Sequence, residues 1–237
     1  MQRLENKVAL ITGGSKGIGF GIAAALMAEG MNVAITSRSL ESAQEAAAEL
    51  NKSGKGKALA IEADVRDYTS QENAIKQVME KWGRLDLLVA NAGIGHFAPV
   101  EELSLAQWHE TIDTNLTGVF YSVKAGFEAL KESKGYFISI SSLAGTNFFA
   151  NGSAYNASKF GVTGFTQAAM LDLRKYGIRC TTIMPGSVST YFNNHVPNDK
   201  DGWKIQIEDL GQMVVDLMQM HPRTLPSKIE VRPTMPA

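Results

Sequence analysis

Short aliphatic and β-branched runs alternate with longer alanine-rich stretches of helical period along most of the chain. Parallel strands joined by crossover helices leave this pattern in a sequence. Strands are predicted at residues 8–12, 32–37, 58–62, 85–90, 136–141, 179–184 and 228–232. Helical spacing covers residues 18–29, 40–50, 70–81, 105–131, 154–176 and 208–219. This predicts an α/β fold: a doubly wound, seven-stranded parallel sheet with helices on both faces and right-handed crossovers. Gly30 and Gly177 fall where left-handed helix ends are wanted. From Tyr191 to Gly202 periodicity is lost among Asn193, Asn194, Pro197, Asn198, Asp199 and Asp201, which reads as a polar surface loop and a candidate lid. No repeat or linker divides the chain, so residues 1–237 are expected to form one domain with a short substrate loop near 191–207.

The first strand ends in Thr12-Gly13-Gly14-Ser15-Lys16-Gly17-Ile18-Gly19 and runs straight into a helix. Glycines there permit a tight turn and let backbone amides approach a pyrophosphate at the positive end of the helix. A kinase-type phosphate loop is disfavoured because the Gly-Lys-Ser/Thr ending is absent. The second strand ends at Thr36-Ser37-Arg38, with no carboxylate to take adenosine ribose hydroxyls. Arg38 and Lys16 could instead pair with a 2′-phosphate, the alternative being two solvated surface cations. Asp64 and Val65 follow the third strand, and Asn91-Ala92-Gly93 follows the fourth, at the carboxyl ends where open sheets bind ligands.

Tyr155 and Lys159 are four apart on a predicted helix and therefore share a face. A phenol titrating near about 10 is a poor acid or base at neutral pH, but a neighbouring ammonium is expected to lower it by roughly 1 to 3 units. Ser142 ends the fifth strand, and the loop between it and Tyr155 can bring its hydroxyl to the same carbonyl.

With these motifs in this order, together with Pro185-Gly186, the chain from about residue 5 to 192 resembles a short-chain dehydrogenase/reductase, which has a Rossmann-type fold. The resemblance implies that Ser142 orients a substrate carbonyl, that Tyr155 supplies its proton, and that Lys159 holds the nicotinamide ribose. It implies that Asn115 carries a water linking Lys159 to solvent. Asp64 and Val65 would flank the adenine, Val188 and Thr190 would meet the nicotinamide carboxamide, and Gly13, Ser15, Lys16, Gly17, Ile18, Gly19, Ser37, Arg38, Asn91, Ala92, Gly93, Pro185 and Gly186 would complete the cofactor site. The activity implied is reversible, NADPH-preferring reduction of a small-molecule carbonyl to an alcohol. Reduction of 3-oxoacyl groups on a carrier protein and catalysis-free nucleotide sensing are the alternatives. The carboxyl end, Lys228-Ile229-Glu230-Val231-Arg232-Pro233, departs from the glycine-rich tail of many relatives and argues against the carrier-protein reading. The polar 191–202 segment predicts a loosely covered pocket for compact polar carbonyls, with Tyr191 and Phe192 as its apolar contacts or as anchors of the loop to the core. A homodimer or homotetramer built on the two long helices is implied.

Composition narrows the partners. A net charge of -1 supplies no basic field for nucleic acid or anionic lipid. Cys180 is the only cysteine, which suits a reducing compartment, and no run approaches the roughly 18 apolar residues of a membrane span, so a cytoplasmic protein is expected. His96, His109, His195 and His221 lack metal-ligand spacing, and no metal is expected. His96, Phe97, Asn147, Phe148 and Tyr191 lie in loops near the expected pocket, as substrate contacts or as surface filler.

Overall fold

The computed structural model describes residues 2–235. Seven parallel strands form one sheet: β1 (Val8–Ile11), β2 (Asn32–Ser37), β3 (Ala58–Glu62), β4 (Leu87–Ala90), β5 (Tyr136–Ile140), β6 (Arg179–Pro185) and β7 (Lys228–Val231). Their order is β3-β2-β1-β4-β5-β6-β7, so the order reverses direction between β1 and β4. Helices α1 (Gly17–Ala28), α2 (Leu40–Ser53), α3 (Tyr68–Trp82), α4 (Leu105–Ile112), α5 (Gly118–Ser133), α6 (Ser153–Leu173) and α7 (Ile207–Gln219) cover the two faces. Because successive strand side chains point to opposite faces, β1 divides its residues between two cores. Ala9 and Ile11 pack with α1, α2 and α7, whereas Val8 and Leu10 pack with α3, α5 and α6. Cys180 lies in the second core, fully buried, and burial pushes its thiol up to about 12.

Two segments differ from the pattern-based expectation. The helix predicted over 105–131 is interrupted by a π-turn at Asp113–Thr117. An extra residue is accommodated there because the Asn115 side chain is drawn inward: Oδ1 accepts from Ile94 N at 2.8 Å, and Nδ2 donates to Ile94 O at 2.9 Å and Ser158 Oγ at 3.0 Å. π-turns of this kind occur within α-helices frequently at functional sites. The second difference is the segment expected to be an aperiodic, solvated loop. It contains two 3₁₀ turns, at Phe192–Asn194 and Asp199–Trp203, and Asp201 is buried. The Asp201 carboxylate accepts from His195 Nε2 at 2.5 Å, Ser189 Oγ at 3.1 Å and Lys204 Nζ at 2.6 Å, which hold it well below the usual carboxylate range.

The segment after β6 reaches α1 through α7, and the two helices cross at contact distance. A Cβ on Gly211 would come within 2.6 Å of Gly21 O, and one on Gly21 within 2.5 Å of Ile207 O. In an open helix, alanine in place of glycine gains about 1 kcal/mol. Here Gly211→Ala is expected to destabilise the protein by about 1–3 kcal/mol through overpacking. Thermal or urea unfolding of the variant tests this, and an unchanged or raised midpoint would contradict the close approach of α1 and α7.

Candidate active site

The carboxyl ends of the strands open into a cavity of about 1620 Å³. Its walls are loops, and each is fixed by side chains that take over hydrogen bonding where the ladder stops. At the switch between β1 and β4, Asn91 Nδ2 donates to Thr12 O at 2.9 Å and Gly13 O at 3.1 Å. Asn91 N and Ala92 N both donate to Thr12 Oγ1, at 3.0 and 3.1 Å. Thr12 is thus the buried clasp between the glycine turn and the turn after β4, a role its place in the motif signals only in retrospect. Gly19 does not line the cavity; a Cβ there would meet Asn91 Nδ2 at 2.6 Å, so it serves this close packing.

Gly13, Ser15, Lys16, Gly17 and Ile18 line the near wall. Gly13 and Gly17 hold φ of +64° and +58°, which aims successive amides as a concave anion nest. α1 starts at Gly17 with no side-chain cap and no acidic residue in its first turn, so its leading amides remain available. Across the groove, Thr190 approaches within 3.5 Å of the space a Gly17 Cβ would take. Val188 pairs with Ile205 in an isolated bridge, and Gly186 N donates to Val231 O at 2.8 Å, fixing the Pro185–Gly186 turn.

Ser37, Arg38, Asp64 and Val65 line the far end. The sequence reading missed what surrounds them. Arg66 clasps Asp64 through Nη2–Oδ2 at 2.6 Å and Nε–Oδ1 at 3.0 Å, lowering the Asp64 carboxyl below its ordinary value. Glu110 on α4 gathers Arg38 Nη1 at 3.9 Å, Arg66 Nη1 at 3.7 Å and His96 Nε2 at 2.9 Å. Two guanidinium groups therefore border this end. The Asp64-x-Arg66 spacing could have suggested the first pair, but nothing local links Glu110 to Arg38.

Tyr155 and Lys159 lie one turn apart on α6, with Lys159 Nζ 5.7 Å from the Tyr155 ring centroid. Both line the cavity together with Ser142, Asn91, Ala92 and Gly93. Lys159 Nζ donates to Ile140 O at 3.0 Å, and burial lowers its pKa to about 8. The spacing predicted that this ammonium would pull the phenol down. In the structure burial raises the Tyr155 phenol above its ordinary value, and the opposing pull comes from Ser142. Two desolvated groups each resist ionising, so desolvation outweighs their mutual attraction. Asn115 does not reach the cavity wall, but it and Lys159 both approach Gly93: a Cβ there would lie 3.3 Å from Asn115 Oδ1 and 3.6 Å from Lys159 Nζ.

The 191–202 segment brings both its asparagines, Asn193 and Asn194, and its expected apolar contacts, Tyr191 and Phe192, to the cavity, with more aromatic surface around the phenol than its sequence indicates. Phe192 packs its ring 5.6 Å from Tyr155, Phe97 lies 5.4 Å from Tyr155, and Phe149 lies 6.0 Å from Phe97. The surroundings of the phenol are aromatic because Phe97, Phe149 and Phe192 converge there from three loops, while Asn193 and Asn194 line the cavity elsewhere. Among the described residues, no group of three or more His, Cys, Asp or Glu side chains is placed to hold a metal, and no helix is long and apolar enough to cross a membrane.

Comparison with known proteins gives this arrangement its context. The family model for short chain dehydrogenases matches residues 7–201. A trans-4-hydroxycyclohexanecarboxylate dehydrogenase of Sinomonas cyclohexanicum is 37% identical over 220 residues, covering 88% of this chain and 85% of its own. An alcohol dehydrogenase of the archaeon Thermococcus sibiricus, solved in complex with 5-hydroxy-NADP, superposes with a TM-score of 0.92 at 30% identity, covering 98% of this chain and 100% of its own. A 3-ketoacyl-(acyl-carrier-protein) reductase of Brucella melitensis, solved with NADH, has a TM-score of 0.88 at 26% identity and covers 98% of each chain. The Tyr155–Lys159 helix, the glycine turn and the sheet order thus occur together in a chain that belongs to the short-chain dehydrogenase/reductase family, oxidoreductases acting on CH–OH groups with a nicotinamide cofactor.

Proposed function

We propose that this enzyme interconverts a ketone and a secondary alcohol, with NADPH preferred over NADH, and that residues 1–237 act as one catalytic unit. The observation that carries the reading is the convergence of Ser142, Tyr155 and buried Lys159 on one groove whose other end holds the glycine turn, Lys16 and Arg38. The groove suits a nicotinamide dinucleotide: the positive-φ glycines and uncapped α1 match a pyrophosphate, and the Arg38 guanidinium rather than a carboxylate follows β2. When bound, that cofactor supplies or accepts the hydride.

Ser142 Oγ donates to the substrate oxygen and sets the carbonyl plane. Tyr155 Oη gives up its proton to the same oxygen as the carbonyl becomes an alcohol, and takes it back in the reverse direction. Raised by burial, the phenol keeps that proton until the substrate oxygen gains charge. Lys159 Nζ, seated on Ile140 O, holds the ribose side of the groove and stabilises the phenolate that proton transfer leaves. Asn115, whose Nδ2 reaches Ser158 next to Lys159 on α6, would hold a water that links Lys159 Nζ to solvent and gives the proton a way back. Gly93, Ala92 and Asn91, with Val65 and Asp64, form the adenosine wall, and Pro185, Gly186, Val188 and Thr190 the nicotinamide wall. The similar 3-ketoacyl-(acyl-carrier-protein) reductase keeps reduction of the 3-oxo group of a carrier-bound acyl chain as the second reading.

Assembly follows from the long helices. Phe120 on α5, Phe160 and Leu171 on α6, and Leu105 and Trp108 on α4 are exposed apolar side chains on neighbouring helices, more than an isolated protomer leaves to water without cause. We infer that these helices pair with symmetry mates in a homodimer or homotetramer. Light scattering at micromolar concentration should give a mass at least twice the 25.6 kDa of the chain; a monomer alone would contradict the inference.

Tyr155→Phe is expected to cut turnover by about 10²- to 10⁴-fold while NADPH still binds, because the ring stays and only the acidic hydroxyl is lost. Retention of more than about a tenth of wild-type kcat, with chemistry rate-limiting, would remove Tyr155 from the role. Wild-type enzyme should show a higher kcat/KM with NADPH than with NADH, and Arg38→Asp should shift that ratio toward NADH by roughly tenfold or more, the worth of one charge-assisted hydrogen bond. Equal efficiencies with both cofactors in the wild type would defeat the assignment.

A further inference from the structure

We propose that the substrate is a compact carbocyclic ketone or secondary alcohol, its ring held against Phe97 and Phe192 beside Tyr155; this rests on the ketone–alcohol reading above and names its substrate class. Three phenylalanines form a collar around the phenol, and each comes from a different loop: Phe97 after β4, Phe149 after β5 and Phe192 after β6. Phe97, Phe192 and Tyr155 make a triangle of ring centroids with sides of 5.4, 5.6 and 6.2 Å. Phe149 and Phe192 line the cavity, Phe97 packs against both of them and the Tyr155 ring, and all three leave between 36% and 48% of their surface open.

The collar is built into the fold. A Cβ on Gly95 would come within 2.7 Å of Phe192 Cζ and 2.8 Å of Phe97 Cε2, so only glycine lets both rings close over that strand end. A Cβ on Gly152 would lie 2.5 Å from Phe149 Cε2. Each loop is also pinned. Ala98 N donates to Asn151 O at 3.0 Å, joining the Phe97 loop to the loop that carries Phe149. Asn156 Nδ2 donates to Ala144 O and Asn147 O, both at 2.8 Å, and its Oδ1 accepts from Phe149 N at 3.4 Å. The Phe192 loop is tied by Phe192 N to Thr190 Oγ1 at 3.3 Å and by buried Asp201.

Positioned rings favour a ligand that brings a pre-shaped apolar surface. A carbocycle does so without freezing torsions, whereas a linear ketone of equal carbon count must order its chain. A polyhydroxylated carbonyl would have its hydroxyls stripped of water against the rings; of the polar side chains in these loops His96 is engaged on Glu110, and His195 and Lys204 on Asp201, which leaves Asn193 and Asn194 on the cavity wall.

The test uses the purified full-length enzyme with saturating NADPH and three carbonyls: cyclohexanone, 2-hexanone and dihydroxyacetone. Wild-type kcat/KM should be highest for cyclohexanone by roughly tenfold, the discrimination a hydrophobic pocket commonly delivers. Phe97→Ala and Phe192→Ala should each lower cyclohexanone kcat/KM, mainly through KM, by about tenfold more than they lower that for dihydroxyacetone. Binding is read without turnover in Tyr155→Phe, which keeps every ring: saturation-transfer NMR should show cyclohexanone receiving magnetisation from the protein, and adding Phe97→Ala and Phe192→Ala should abolish the transfer. A Tyr155-dependent preference for 2-hexanone or dihydroxyacetone, or cyclohexanone binding that ignores both phenylalanines, overturns the ring assignment and leaves the ketone–alcohol reading standing. Failure to turn over any of the three carbonyls or their alcohols, with either nicotinamide cofactor, overturns both.

Discussion

Burying the Lys159 amine is the constraint around which the site is arranged. An ammonium removed from water costs several kcal/mol unless it is paired or neutralised, and no carboxylate pairs with this one; its partner is the Ile140 carbonyl. The cost appears as a pKa lowered to about 8 from 10.5. Between those values the unfolded chain holds more protons than the folded one, so stability gained from this residue rises with pH across that window; below about 8 the full penalty applies. The fold accepts it by packing α6 against β5 and β6, with Val162, Thr166 and Ala169 buried on the same helix. The π-turn before α5 belongs to this arrangement, because it brings Asn115 to Ile94 and Ser158, on either side of the lysine.

Beyond the strand ends, a single device recurs. A short amide or carboxylate side chain replaces the missing ladder hydrogen bonds of a loop: Asn91 for the turns after β1 and β4, Asn156 for the loop after β5, Asp201 for the loop after β6. Each is a polar group placed where main-chain polar groups would otherwise be buried unpaired. Each loop thus has partners of its own within the fold, which reduces what binding must spend on ordering it.

Much of this was legible in the sequence. Strand positions fell within two residues of their predicted starts because alternate residues such as Val8 and Ala9 both face apolar layers, which makes buried parallel strands continuous apolar runs. The four-residue spacing of Tyr155 and Lys159 translated directly into a shared helix face. What could not be read was tertiary. Helical period runs unbroken through residues 113–117, so the π-turn left no trace. Asp201 was taken for a solvated loop acid, because its partners Ser189, His195 and Lys204 carry no shared motif. Phe97 and Phe192 stood out one by one as loop residues near the pocket, but their convergence with Phe149, like that of Glu110 with Arg38, joins separate loops, and local pattern carries no information about that.

The one thiol of the chain has a different kind of consequence. Cys180 is closed to solvent on β6, beside the edge strand β7, and burial keeps its sulfur protonated far above neutral pH. Alkylating reagents and mild oxidants act on thiolates that they can reach, so the native protein is chemically silent toward them. A cysteine introduced at exposed Val196, in the loop tied down by Asp201, would be the one site to take a maleimide dye or spin label. The motion of the active-site cover can thus be followed spectroscopically in an otherwise unaltered chain.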